Sequence, residues 1–353
     1  MTDASVEDRD DEHLDEDAPP NELPADKNAA PQPPDLAPRW IVDMRRSEHR
    51  IGYYKSLGEY ALQFTDRGDA VLVVSFDNLS AARDAGIDRD SWGYGFVAKN
   101  GWSHLGVLAF GANWFRSEDL FAELRALAKS GFFRRFGRVF LTGTSMGGYA
   151  ACAFASLVPG CTVLAFSPQA SLDQDLVPWE KRFPAGRKMD WSGDFSNAAR
   201  EVAAAAEVWL VYDPHFEEDR QHIEMFSGPN IRLLKARYAG HKTALILRRA
   251  NLLSTVVRET VRGEMTPARF YRHYRAVRTF PWFASIIADK ALARRHFGLS
   301  KRMVIYLRNS GQGFLAHKIR QKHIEAAGGP RPGRPARRRR KAPVAPPVTP
   351  PVE

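Results

Sequence analysis

Along the middle of the chain, short runs of consecutive apolar residues alternate with stretches in which apolar positions recur every three or four residues. Runs such as Val71-Leu72-Val73-Val74 and Val208-Trp209-Leu210-Val211 have no polar face, which predicts strands covered on both sides. Strands are predicted at 59–64, 70–76, 104–110, 138–142, 162–166, 208–212 and 231–236. Between them, Leu120, Phe121, Leu124 and Leu127 fall at helical spacing within 118–130, and 148–157 and 197–206 read as alanine-rich helices. This alternation predicts an α/β fold, a mostly parallel sheet with helices on both faces.

From about residue 265 the strand signal stops, and apolar stripes at helical spacing run through 267–278, 281–297, 300–308 and 314–327. The expected organisation is therefore an acidic and proline-rich tail (1–38), a sheet domain (39–260), a basic helical region (261–327) and an Arg/Pro-rich tail (328–353). Both tails lack the apolar surface needed to offset chain entropy and are expected to be disordered.

Charge sharpens this division. Residues 1–27 hold 11 acidic side chains against Arg9 and Lys27, residues 28–241 are nearly balanced, and residues 242–323 hold 18 Lys/Arg against Glu259, Glu264 and Asp289. The net charge of +10 thus belongs to the C-terminal third, which suits an anionic polymer or an anionic membrane surface. Phe270-Tyr271-Arg272-His273-Tyr274-Arg275 is compatible with base stacking, but reads better as an amphipathic helix with its aromatics inward, and nothing suggests sequence-specific nucleic-acid readout. With only Cys152 and Cys161, neither a disulfide framework nor a four-cysteine zinc site can be built. No leader-like segment and no apolar stretch of about 18 residues is present, so a cytoplasmic location is expected.

Gly143-Thr144-Ser145-Met146-Gly147 is the sharpest local signal, because it joins an apolar strand to a helix rich in small residues. A serine on such a turn is forced outward, and glycines two positions either side relieve the crowding. Ser145 is the expected nucleophile, and the Met146 amide at the helix start is an expected oxyanion donor. A serine needs a base and an orienting acid. Asp213 ends the strand at 208–212, and His241 follows Gly240 just past the last strand; Asp219, in the same segment as Asp213, is the substitute acid.

On these residues the chain resembles the α/β-hydrolase superfamily over roughly 40–250. The resemblance implies the order serine, acid, histidine, and a second oxyanion amide from the loop after the third strand, here Phe76 or Asp77. No His-Gly-Gly-Gly of the lipase type occurs there. It also implies a lid in the long segment 167–196, where Trp179 and Trp191, with Trp114 from elsewhere, are candidate substrate-binding residues. The implied activity is that of a serine hydrolase cleaving an ester or acyl bond through an acyl-enzyme, a carboxylic-ester hydrolase first of all, without metal or organic cofactor. Acyl transfer to a saccharide uses the same three residues, and a non-catalytic module binding an anionic polymer is the reading from another class.

Overall fold

The computed structural model describes residues 38–46, 51–84, 86 and 88–327. The two tails at 1–37 and 328–353, and the Arg337–Lys341 run with them, lie outside the described residues. By contacts the chain divides into two compact units, Met1–Val277 and Arg278–Glu353.

In the first unit the apolar runs form an eight-stranded sheet. Its strands are β1 (Gly52–Ser56), β2 (Tyr60–Thr65), β3 (Val71–Phe76), β4 (Ser103–Ala109), β5 (Arg138–Thr144), β6 (Thr162–Phe166), β7 (Glu207–Tyr212) and β8 (Ile231–Lys235). The order across the sheet is β1-β2-β4-β3-β5-β6-β7-β8. β2 runs antiparallel to both β1 and β4, and all later pairs are parallel. This is the α/β-hydrolase arrangement. Its helices are α1 (Arg39–Arg46), α2 (Tyr94–Lys99), α3 (Glu118–Ser130), α4 (Met146–Ala153), α5 (Ala198–Glu201), α6 (Glu217–Glu224), α7 (Thr243–Arg249), α8 (Leu253–Val261) and α9 (Pro267–Tyr274).

Alternation along β3 shows why the runs are apolar throughout. Leu72, Val74 and Phe76 enter the main core with Leu120, Phe121 and Leu124 of α3 and Tyr149 and Cys152 of α4. Val73 and Ser75 point to the opposite face and are buried as well. The predicted strands are all present, and β1 is an additional one. Its Gly-Tyr-Tyr-Lys-Ser sequence carries no apolar run because it is a half-exposed edge strand.

Residues 267–274, expected in the basic helical region, are α9 of the first unit. Phe270 is fully buried and stacks on Tyr274, whose hydroxyl donates to the Arg237 carbonyl at 3.0 Å. Arg272 and Arg275 are exposed, and so is Tyr271, so of the three aromatics Phe270 and Tyr274 turn inward and Tyr271 stays on the surface with the arginines.

The second unit contains α10 (Pro281–Ala293), α11 (Phe297–Asn309) and α12 (Gly313–Ala326). Ala284, Ala288, Leu307, Ala316 and Ile319 form its small core. Among the described residues no helix is long and apolar enough to cross a membrane.

Candidate active site

The turn from β5 into α4 leaves Ser145 at φ 52°, ψ −114°, a conformation that costs a non-glycine residue about 1–3 kcal/mol. Two close approaches hold it there. A Cβ on Gly143 would lie 2.3 Å from the Gly147 carbonyl carbon and oxygen, and a Cβ on Gly147 would lie 2.4 Å from the Phe76 carbonyl oxygen and 2.7 Å from that of Asp77. The obstacles are backbone atoms that cannot rotate away, so both positions require glycine. The Ser145 amide donates to the Phe166 carbonyl at 2.8 Å, and its carbonyl accepts from the Tyr149 amide at 2.9 Å. The strained turn is thereby fastened to β6 and to its own helix.

Ser145 Oγ lies 2.8 Å from His241 Nε2. On the other side of the ring, His241 Nδ1 lies 2.8 Å and 3.0 Å from the two carboxylate oxygens of Asp219. An ionised carboxylate only accepts, so Nδ1 carries the ring proton and Nε2 is left as the acceptor facing the hydroxyl. Ser145 and His241 are partly exposed, whereas Asp219 is buried in the first turn of α6. Burial alone would raise the Asp219 carboxyl, but the charges and hydrogen bonds of His241 and Arg182 outweigh it and hold the pKa below its ordinary value.

The expectation for Asp213 is corrected here. Its carboxylate accepts from the His215 amide at 2.9 Å and from the Gly240 amide at 2.9 Å. Asp213 therefore ties the end of β7 to the turn that carries His241, and the carboxylate on the imidazole is Asp219. That carboxylate lies in the first turn of the following helix rather than at the strand's end.

The expected oxyanion donors separate in the same way. Met146 opens α4, so its amide has no acceptor within the helix and points out of the helix start. The Asp77 amide, in contrast, donates to the Val107 carbonyl at 3.2 Å. Its carboxylate is buried, receives the Trp92 and Ala109 amides, and pairs with Arg89 at 2.6 Å. Asp77 is thus a tie for the loop after β3 rather than a free donor. Phe76 turns its ring into the core against Phe115 and Phe154.

Of the three tryptophans expected to meet substrate, Trp191 is interior. Its indole donates to the Gly186 carbonyl at 2.8 Å and its ring packs on Tyr149. Trp114 is also buried, with its indole donating to Gln169 Oε1 at 3.1 Å. Trp179 is partly exposed and packs on His222. The rings flanking His241 are instead Phe183 at 5.8 Å and Phe216 at 6.2 Å between centroids.

Several side chains of the site carry no local signal in the sequence. Because the Trp114 indole can only donate, it fixes which end of Gln169 is oxygen, and the amide nitrogen then faces Ser145 Oγ at 3.2 Å. Gln169 directs its hydrogen bond at one lone pair of the hydroxyl, leaving the hydroxyl proton for His241. Arg182, from the long segment after β6, donates to Asp219 Oδ1 at 3.0 Å and forms an ion pair with Glu180 at 2.5 Å. His222, one turn beyond Asp219 on α6, lies 3.1 Å from Glu180. The segment carrying these residues is irregular but fastened: Arg116 donates to the carbonyls of Asp190, Ser192 and Asp194. Among the described residues no group of three or more His, Cys, Asp or Glu is arranged to hold a metal ion.

No family model matches this chain, and no curated protein matches it. Among solved structures, the capsule O-acetyltransferase of Neisseria meningitidis serogroup A is similar at 13% identity and TM-score 0.40, over 58% of this chain and 94% of that one. The Pyrococcus furiosus esterase Pf2001 is similar at 16% identity and TM-score 0.40, over 61% of this chain and 91% of that one. Carboxyl esterase 2 from the fungus Tuber melanosporum is similar at 14% identity and TM-score 0.37, over 65% and 87%. The strand order, not these likenesses, defines the fold.

Proposed function

We propose that this chain is a serine hydrolase that cleaves an ester or acyl bond through an acyl-enzyme intermediate, a carboxylic-ester hydrolase being the first choice. One observation carries the reading: a hydroxyl held at a strained turn stands 2.8 Å from an imidazole whose other nitrogen stands 2.8 Å from a buried carboxylate. In this mechanism Ser145 Oγ attacks the substrate carbonyl while His241 Nε2 accepts its proton. Asp219 stabilises the imidazolium and keeps the proton on Nδ1. The Met146 amide stabilises the oxyanion, and with the Asp77 amide engaged elsewhere, the second donor is the Phe76 amide or one of the two amides after Asp77, Asn78 or Leu79. His241 then returns its proton to the leaving alcohol, and water, deprotonated by the same imidazole, releases the acid.

The test is covalent labelling of the purified chain by a fluorophosphonate probe, paired with hydrolysis of short p-nitrophenyl esters. Labelling and turnover that both vanish in Ser145→Ala are expected. A folded, monodisperse wild-type protein that takes no label and turns over no ester removes this reading.

A further inference from the structure

Asp219 is not alone in its buried surroundings. Arg182 faces it from the segment after β6 and His241 from the loop after β8; behind Arg182 stands Glu180, which Arg182 and His222 of α6 both contact. Asp219, Glu180 and His222 are all fully buried. His222 Nδ1 accepts from the Ala170 amide at 3.3 Å, so its proton is on Nε2 and is donated to Glu180. Burial holds the His222 pKa below its ordinary value, which keeps this imidazole neutral. The cluster therefore contains two carboxylates and one guanidinium, a net charge of −1 while both imidazoles are neutral. When His241 takes a proton, the cluster becomes neutral.

We propose that Arg182 is a positioning residue for the reaction proposed above: it cancels the charge of Glu180, so that Asp219 is the single uncompensated charge facing the imidazolium of His241. Its Nη1 also holds the Asp219 carboxylate from the side, donating to Oδ1 while His241 Nδ1 faces both oxygens. Two buried carboxylates without a cation cannot both stay ionised at modest cost, and one of them would take a proton. A protonated Asp219 no longer holds the proton on Nδ1 by charge. Glu180 is the competitor in this balance, held down to about 2: burial pushes its carboxyl up, and His222 and Arg182 more than reverse that.

The charge balance gives the inference a test that packing alone would not pass. In the full-length protein, Arg182→Met is expected to lower kcat at neutral pH by about 30-fold with little change in KM, and to move the acid limb of the kcat profile to higher pH. The double variant Glu180→Gln/Arg182→Met restores the net charge of −1, and its kcat is expected to recover to within about 5-fold of wild type. A double variant no faster than Arg182→Met overturns the inference, as does an Arg182→Met profile that superimposes on wild type. Should Arg182→Met fail to fold, Glu180→Gln alone decides: a cluster made one charge more positive should show a lower kcat and an acid limb moved to lower pH, and an unchanged profile overturns the inference. The inference rests on the hydrolase reading, but the two fail separately. In a Ser145→Ala background, which is inert by design, the low-field resonance of the His241 Nδ1 proton reports the pairing with Asp219 without turnover. It should persist in the charge-balanced double variant and be lost with Arg182→Met alone, whether or not an ester substrate is ever found; its persistence with Arg182→Met overturns the inference.

Discussion

Among the described residues, two serine–histidine pairs stand at the same separation. Ser145 Oγ lies 2.8 Å from His241 Nε2, and Ser75 Oγ lies 2.8 Å from His104 Nε2. Only the first fits the proposed chemistry, and the difference lies in where the protons go. Ser75 donates its hydroxyl proton to the Trp92 carbonyl at 2.7 Å. A hydroxyl has one proton, so His104 must donate Nε2–H to Ser75, which leaves its Nδ1 as the bare nitrogen. That Nδ1 is buried without a hydrogen-bond partner among the described residues, and burial pushes the His104 pKa down to about 3. His104 therefore points a proton at its serine, whereas His241 points a lone pair. The carboxylate behind His241 makes that difference, together with the partial exposure that lets a substrate arrive.

The largest expected effects test whether the pairs differ as described. Ser145→Ala and His241→Ala should each lower kcat/KM for p-nitrophenyl esters by about 10³-fold or more, since the hydroxyl and imidazole act as one unit. Ser75→Ala and His104→Gln should leave fluorophosphonate labelling at Ser145 intact. Labelling that moves to Ser75, or persists in Ser145→Ala, would break the comparison outright.

A second prediction separates the two aspartates. Asp219→Asn keeps the shape but lets either nitrogen of His241 carry the proton, and kcat should fall by about 10²- to 10⁴-fold with folding retained. Asp213→Asn loses charge on two backbone hydrogen bonds, those from His215 and Gly240. Here the expected loss is mainly of stability, about 1–3 kcal/mol by denaturant unfolding, with a far smaller change in kcat. The reverse ranking would make Asp213 the acid.

These two aspartates also mark where the sequence stops being legible. The elbow can be read from residues 143–147, because the glycines answer to backbone atoms that any such turn brings close. The parallel strands are legible because burial on both faces favours runs of apolar residues, interrupted by few polar ones such as Ser75 and Thr142. The acid is different: Asp213 and Asp219 sit six positions apart in one segment, and only the path of the chain through the first turn of α6 decides which one reaches His241. Gln169 and Arg182 were invisible for a related reason. Each acts through a partner distant in sequence, Trp114 for one and Asp219 for the other, and no spacing rule links them. Trp191 and Trp114 show the converse, since aromatics in an irregular segment are as readily spent on fastening it as on meeting a ligand.

A third prediction weighs the glycine at the start of α4. Gly147→Ala places a methyl 2.4 Å from the Phe76 carbonyl oxygen, so the loop after β3 must retreat from the Met146 amide. Both expected oxyanion donors shift apart, and kcat should fall by about 10- to 100-fold while Ser145 still takes the fluorophosphonate label, slowly. An unchanged kcat would show that the two segments need not touch for catalysis.

The smallest effect belongs to the silent pair and appears only in stability. His104 titrates near 6.5 when the chain is unfolded and near 3 when folded. Between those values the unfolded chain binds a proton that the folded one refuses, so stability falls as the pH drops through this window, by at most about 1.4 kcal/mol per pH unit. Above about pH 6.5 both states hold the imidazole neutral and the dependence disappears. His222, whose pKa is also lowered, adds to the slope in the same direction. The depressed carboxylates Asp66, Glu180 and Asp219 contribute only below the ordinary carboxylate range. Asp77, whose carboxyl burial holds above its ordinary value, works in the opposite sense, so denaturant midpoints at pH 7.5 and pH 5 are compared between wild type and a variant altered only at His104. His104→Gln supplies an amide donor for Ser75 but cannot titrate, so its midpoints at the two pH values should differ less than those of wild type. An equal difference in both proteins would mean that His104 takes up its proton while folded, and the contrast between a buried donor and a working base would no longer hold.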